Sequence, residues 1–150
     1  GPRTRVSAGW RGVGKAGVGT DHIAAFWDFP PTAIELAGGT VPEGLDGLSI
    51  APLLTGNDAA HRAHNYLYWE FYEQGGKQAV RVGEWKGIRR DVRKDRDGPI
   101  ELYNLTDDIG ETTDVAADHP AIVAKIRDAM AEAHTPSRRF SFDAKPPAKR

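Results

Sequence analysis

The 150-residue chain contains no cysteine, which removes disulfides, thiolate zinc sites and cysteine nucleophiles from consideration. That absence does not fix the compartment, because many exported proteins also do without cysteine. Neither charge is in excess: 20 Lys+Arg stand against 21 Asp+Glu, a formal net charge of -1, and the basic residues form no block. Nucleic acid is thereby excluded as a partner, since phosphate binding needs a concentrated positive footprint. Nor does any apolar run approach the roughly 18 residues of a membrane helix, and the opening GPRTRVSAG lacks the apolar centre of a signal peptide. No internal repeat is visible.

What the chain has in quantity is glycine and proline, 17 and 10 residues, above the usual share of about 12% for the pair. It begins with Gly and not Met, and is therefore expected to start at a processed end or part-way along a longer product. Residues 1–20 hold six glycines and no hydrophobic period, and read as an irregular arm. Thr20 or Asp21 can cap a short helix in which Ile23, Phe26 and Trp27 share a face. A second helix is expected over 31–37, opened by Pro31 and stopped by Gly38-Gly39, with Ile34, Leu36 and Ala37 facing the core. Residues 40–56 read as a tethered Pro/Gly loop with a helical turn at 50–54.

The run NYLYWEFYE predicts a strand over 66–72, central in its sheet because the apolar residues are nearly continuous. Further strands follow over 78–82, 85–90 and 100–104, separated by Gly75-Gly76, Gly83-Glu84 and a charged tip at 94–97. Pro120 opens a last helix, in which Ile122, Val123, Ile126 and Met130 recur at helical spacing as far as about His134. The fold class is therefore α+β: a small four-stranded antiparallel sheet packed by a C-terminal helix, preceded by short helices and a Gly-rich arm. The expected division is an arm over 1–20, a helical and loop segment over 21–56, a sheet-and-helix body over 57–140 and a disordered tail over 141–150.

Chemistry-bearing patterns are sparse. Of the five histidines His22, His61, His64, His119 and His134, only His61 and His64 are close, and with no local third ligand they read as solvated surface residues. His119 and His134 suit the two ends of the last helix. Glu70/Glu73 and Asp107/Asp108 could be offered as acid–base pairs, but nothing fixes their geometry. Asp107, Asp108, Glu111 and Asp114 lack the spacing of a calcium loop and read as a solvated turn. Trp69, Phe71, Trp85 and Tyr103 read mostly as core. The polar turn carrying Tyr72, Glu73, Lys77 and Gln78 is a plausible edge of a sugar or sulfate site.

Taken together, DHIAAFWDFPPTAIELAG (21–38), DGLSIAPLLTG (46–56), NYLYWEFYEQGGKQAVRVGEWKGIR (65–89), ELYNLTDDIGETTDVAADHP (101–120) and AHTPS (133–137) resemble the C-terminal part of type I sulfatases, the arylsulfatase and sulfoglucosamine sulfohydrolase group. Trp10-Arg11-Gly12 is similar to an altered form of that family's Trp-Pro-Gly. The resemblance implies a C-terminal subdomain that docks through 21–56 on a large catalytic domain and walls one side of its cleft. It implies, as contacts to sugar or sulfate, Glu70, Glu73, Lys77, Gln78 and Arg81. Formylglycine and calcium are expected in the intact family enzyme and not in this chain, whose catalytic residues are expected to be none; Lys15 is not the family's active-site lysine. The expected partners are the N-terminal sulfatase domain and, for the whole enzyme, a sulfated sugar or aryl sulfate. The family also implies a periplasmic or secreted location. His134-Thr135-Pro136-Ser137-Arg138 differs from the family's Cys-Thr-Pro-Ser-Arg signature at one position, but histidine cannot become formylglycine and the segment follows a helix. An isolated chain is expected to be inactive and to leave Phe26, Trp27, Ile34 and Leu36 exposed, favouring self-association. Two other readings remain: a non-catalytic module or remnant binding sulfated glycans through Lys77, Arg81, Arg89 and Arg90, and part of a related phosphatase or phosphonate hydrolase.

Overall fold

A computed structural model describes residues 7–9, 17, 19–137 and 139–143. Most of the expected arm, with Trp10, Arg11, Gly12 and Lys15, lies outside the described residues, as do Arg138 and the end of the expected tail. The chain divides into two compact units, one ending at His64 and the other beginning at Asn65.

In the first unit a single 3-10 turn, Phe26–Asp28, runs into α1, Phe29–Leu36, followed by α2, Ala51–Thr55, and a 3-10 turn at Asp58–Ala60. Pro30 and Pro31 fall in the opening turn of α1, where proline's missing N–H costs nothing. Gly38, at φ 75°, ends it, and the amides of Gly38 and Gly39 turn back onto the carbonyls of Glu35 and Ile34. The helix expected from Asp21 is not formed. Ala25 is extended (φ -122°, ψ 165°), its amide bonds the Asp28 carboxylate at 2.7 Å, and Phe26 is 90% exposed, so Ile23, Phe26 and Trp27 never share a buried face. In α1, Ile34 and Leu36 are half-buried, whereas Ala37, just past its end, is exposed.

Asp28 organises this unit. Its buried carboxylate accepts hydrogen bonds from the amides of Ala25 and Leu48 and meets His64 Nε2 at 2.7 Å. Thr32 Oγ1 donates to the Asp28 carbonyl at 2.6 Å and accepts from the Ile50 amide at 3.0 Å, which ties loop 46–50 to the start of α1. The loop passes so close that a Cβ on Gly47 would lie 1.9 Å from the Trp27 carbonyl oxygen.

The second unit is an antiparallel meander of β1 Leu67–Phe71, β2 Lys77–Val82, β3 Trp85–Arg90 and β4 Ile100–Asn104, in the order β1-β2-β3-β4, closed by α3, Pro120–Ala133. Side chains alternate across a strand, so Val80, Ile100 and Leu102 share one face, onto which α3 lays Ile126, Ala129 and Met130. Each fully buried side chain of this kind contributes about 1.5–3 kcal/mol. Ile88, Tyr103 and Leu105 form a smaller buried cluster on the other face. Against expectation β1 is an edge strand and not a central one: Trp69 and Phe71 are 38% and 46% exposed. Trp85 is half-buried against the α3-side core and Tyr103 is buried.

Candidate functional site

The alternation that exposes Trp69 and Phe71 turns Tyr68, Glu70 and Tyr72 to the α3 side of the sheet. There Glu70 is the acceptor of three donors: the hydroxyls of Tyr68 and Tyr72, and Nδ1 of His134, the residue that ends α3, at 2.5 Å. Burial pushes the Glu70 pKa up, and the hydrogen bonds from Tyr68, Tyr72 and His134 outweigh it and hold the group below the usual 4.5. The same contacts act in reverse on the phenols: burial, then Glu70, pushes Tyr72 up to about 12 and Tyr68 further still.

The chain of donors continues inward. Gln78, paired with Glu70 across β1 and β2, donates to the Tyr68 hydroxyl at 2.7 Å and accepts from Arg89 Nη1 at 3.2 Å. Arg89 is 6% exposed and gives Nε to the Gly98 carbonyl at 3.1 Å, while its Nη2 has no partner among the described residues. Glu70, with three donors on it, is therefore a held charge and not a free general base. A carboxylate only accepts, so His134 Nδ1 carries a proton in this pair and Nε2 is the ring's outward end.

The β1–β2 connection beside this network is held open. Gln74, Gly75 and Gly76 all have positive φ, at 50°, 86° and 82°. The carbonyls of Gly75 and Gly76 accept from the amides of Arg93 and Val92. Phe142, 3% exposed, stacks on Tyr72 at 4.7 Å and would be 2.7 Å from a Cβ on Gly76, so the first residues of the expected tail are packed.

The sequence-derived site residues are thus split. Glu70 and Gln78 share the α3 side; Lys77 and Arg81, paired with Phe71 and Leu67, take the other face; Glu73 is exposed in the turn. Lys77 Nζ lies 3.4 Å from Gln74 Oε1 and 5.7 Å from the centre of the Phe71 ring. Arg81 Nε donates to the Gly83 carbonyl at 3.0 Å.

His119 and His134 flank α3 as expected, whereas the other histidines are placed differently from expectation. His61 and His64 are half-buried: His64 meets Asp28, and His61 Nε2 meets His22 Nδ1 at 3.1 Å. Burial first, and then the His61 imidazole, lowers the His22 pKa below 6.5. Asp108 ties its own turn by accepting from the amides of Thr112 and Thr113, and Asp114 accepts from Leu102 and Ala116. Among the described residues no group of three or more His, Asp or Glu side chains is set to hold a metal ion, and no helix is long and apolar enough to cross a membrane.

Comparison with known proteins places this geometry. Residues 3–136 match the family described as N-sulphoglucosamine sulphohydrolase, C-terminal. A sulfatase of Formosa agariphila is 33% identical over 63% of this chain and 19% of its own length, and arylsulfatase K of Danio rerio is 31% identical over 72% and 21%. A solved 2-O GAG sulfatase superposes with a TM-score of 0.60 at 28% identity, over 70% of this chain and 23% of its own. The chain thus spans about a fifth of the length of the curated relatives it matches, and it belongs to the C-terminal domain family of the N-sulphoglucosamine sulphohydrolases.

Proposed function

We propose that these residues are the C-terminal subdomain of a sulfate-ester or N-sulfate hydrolase and wall one side of its substrate cleft with the β1–β2 turn. What supports this reading is the family membership together with a turn fixed in an uncommon backbone conformation by Phe142 and by the amides of Val92 and Arg93. A turn held this way presents side chains without ordering them at the moment of binding. Lys77 and Arg81 are the cations proposed to meet sulfate, and Glu73 the carboxylate proposed to meet a sugar hydroxyl. Glu70 and Gln78 serve the wall from behind, by fixing β1 against β2. The nucleophile and the calcium site are assigned to the catalytic domain, the proposed partner of this subdomain, and a sulfated sugar or aryl sulfate is the proposed substrate of the whole enzyme.

The test is to express the reading frame that contains these residues with a Cys/Ser-x-Pro-x-Arg segment and to measure sulfate release. Lys77→Ala is expected to raise KM several-fold while kcat holds, as for a group that binds ground state and transition state alike. An unchanged KM for Lys77→Ala combined with Arg81→Ala removes the cleft-wall role.

A further inference from the structure

The cleft-wall reading leaves one group without a task. His134 is 64 residues from Glu70 in sequence, yet its Nδ1 is bonded to that carboxylate at 2.5 Å, and the ring is about a quarter exposed. No described residue is hydrogen-bonded to its Nε2. Orienting an imidazole by a carboxylate on one nitrogen is how proteins fix what the other nitrogen offers. Three donors on Glu70 make that fixture rigid, since the two tyrosine hydroxyls stop the carboxylate from turning. Beside it, Tyr72 carries Phe140 at 5.7 Å, and Phe140 is 60% exposed. Phe142, 6.2 Å from the His134 ring and 4.7 Å from that of Tyr72, joins the two, so one aromatic cluster carries what a pyranose needs: an apolar platform and one directional hydrogen bond.

We propose that His134 is a ligand-contacting residue, whose Nε2 takes an oxygen of a sulfated sugar lying on Phe140, with Glu70 as its positioning residue. The inference rests on the cleft-wall reading and deepens it, adding at the turn end of the sheet, on the α3 side, a contact through the histidine that Glu70 holds. Neutral, Nε2 accepts from a sugar hydroxyl; protonated, it donates to a sulfate oxygen. In both states Nδ1–H stays on Glu70.

The experiment is a nitrogen-15 NMR titration of the full chain with a heparin-derived disaccharide, its desulfated counterpart and sodium sulfate. In the free chain His134 is expected as the Nδ1–H form at high pH; the Nε2–H form overturns the proposal. On adding the sulfated disaccharide, the His134 and Phe140 ring signals are expected to move. His134→Asn places an amide nitrogen where Nδ1 stood and leaves nothing at Nε2. It is expected to preserve the Glu70 signals and to weaken binding by about 3- to 10-fold, the worth of one hydrogen bond. Wild-type affinity in that variant overturns the proposal. Should it fail to fold, Phe140→Ala, a change at an exposed ring, is expected to show a loss of similar size, and unchanged affinity there is equally fatal. Equal shifts with sodium sulfate mean simple anion pairing and remove the sugar. Shifts at Lys77 and Glu73 without any at His134 sink this inference alone; silence at all four positions sinks the cleft-wall reading as well.

Discussion

Gly87, in the middle of β3, lies under α3, and an added methyl there has nowhere to go. A Cβ at this position would be 2.3 Å from Cγ2 of Ile126 and 3.1 Å from Cγ2 of Ile100, where apolar carbons rest at about 3.5–4.0 Å. Both neighbours are fixed, Ile126 at 0% and Ile100 at 5% exposure. Gly87→Ala must therefore push helix and sheet apart by more than about 1 Å or drive Ile126 off its rotamer. Overpacking of this kind costs about 1–3 kcal/mol, against which alanine regains about 0.5–1 kcal/mol of the entropy that a strand glycine loses. The net expectation is a loss of about 1–2 kcal/mol. It should appear as faster hydrogen exchange at β2 and β4 amides and a melting temperature lower by about 4–8 °C per kcal/mol. Ile126→Ala makes room for the methyl. Alone it costs about 2–5 kcal/mol, but with Gly87→Ala the sum should fall short by about 1–2 kcal/mol. A stabilising Gly87→Ala, or strict additivity of the pair, refutes the close approach of α3 to β3.

Other expectations follow from the same contacts. Gly76→Ala combines a φ of 82° with a 2.7 Å approach to Phe142, and should release Phe142 from Tyr72, read as faster exchange at Lys77 and Val92. Glu70 and Glu101 both have folded pKa values below 4.5, Glu101 chiefly through its bond from Arg90. Their stabilisation is present above 4.5 and lost as pH falls through the folded values, so Glu70→Gln should flatten the acid limb of stability against pH. His22 has a folded pKa below 6.5, so its contribution is intact above that value and lost as pH falls through the folded one. Protection factors over 48–64, which correct for the intrinsic slowing of exchange in acid, should fall on acidification, and His22→Gln should weaken that dependence.

Much of the second unit could be read from the chain because its signals are local. β3 and β4 run over 85–90 and 100–104 as expected, bounded by Gly83 and Pro99, and α3 follows from Pro120 and the spacing of Ile122, Ile126 and Met130. β1 misled because tyrosine passes for an apolar residue. Counted by its hydroxyl, the run alternates, with Tyr68, Glu70 and Tyr72 on one face and Leu67, Trp69 and Phe71 on the other, the pattern of a strand with two unlike faces. The pairings around the candidate residues were not legible. His134 lies 64 residues from Glu70 and His22 39 from His61, and pairings at that distance are set by tertiary packing, which periodicity does not encode.

The Asp28 carboxylate has a bearing on how the first unit comes together. It collects the amide of Leu48 from 20 residues away and the ring of His64 from 36 away, besides the nearby amide of Ala25. A carboxylate leaves water at a cost of several kcal/mol, and no single one of these donors offsets that alone. The three closures are therefore expected to form as one event, with partly closed chains scarce at equilibrium. Loss of any one donor should then be felt at the other two, and Asp28→Ala should dissolve the order of α1, loop 46–50 and the 58–64 segment together, not one after another.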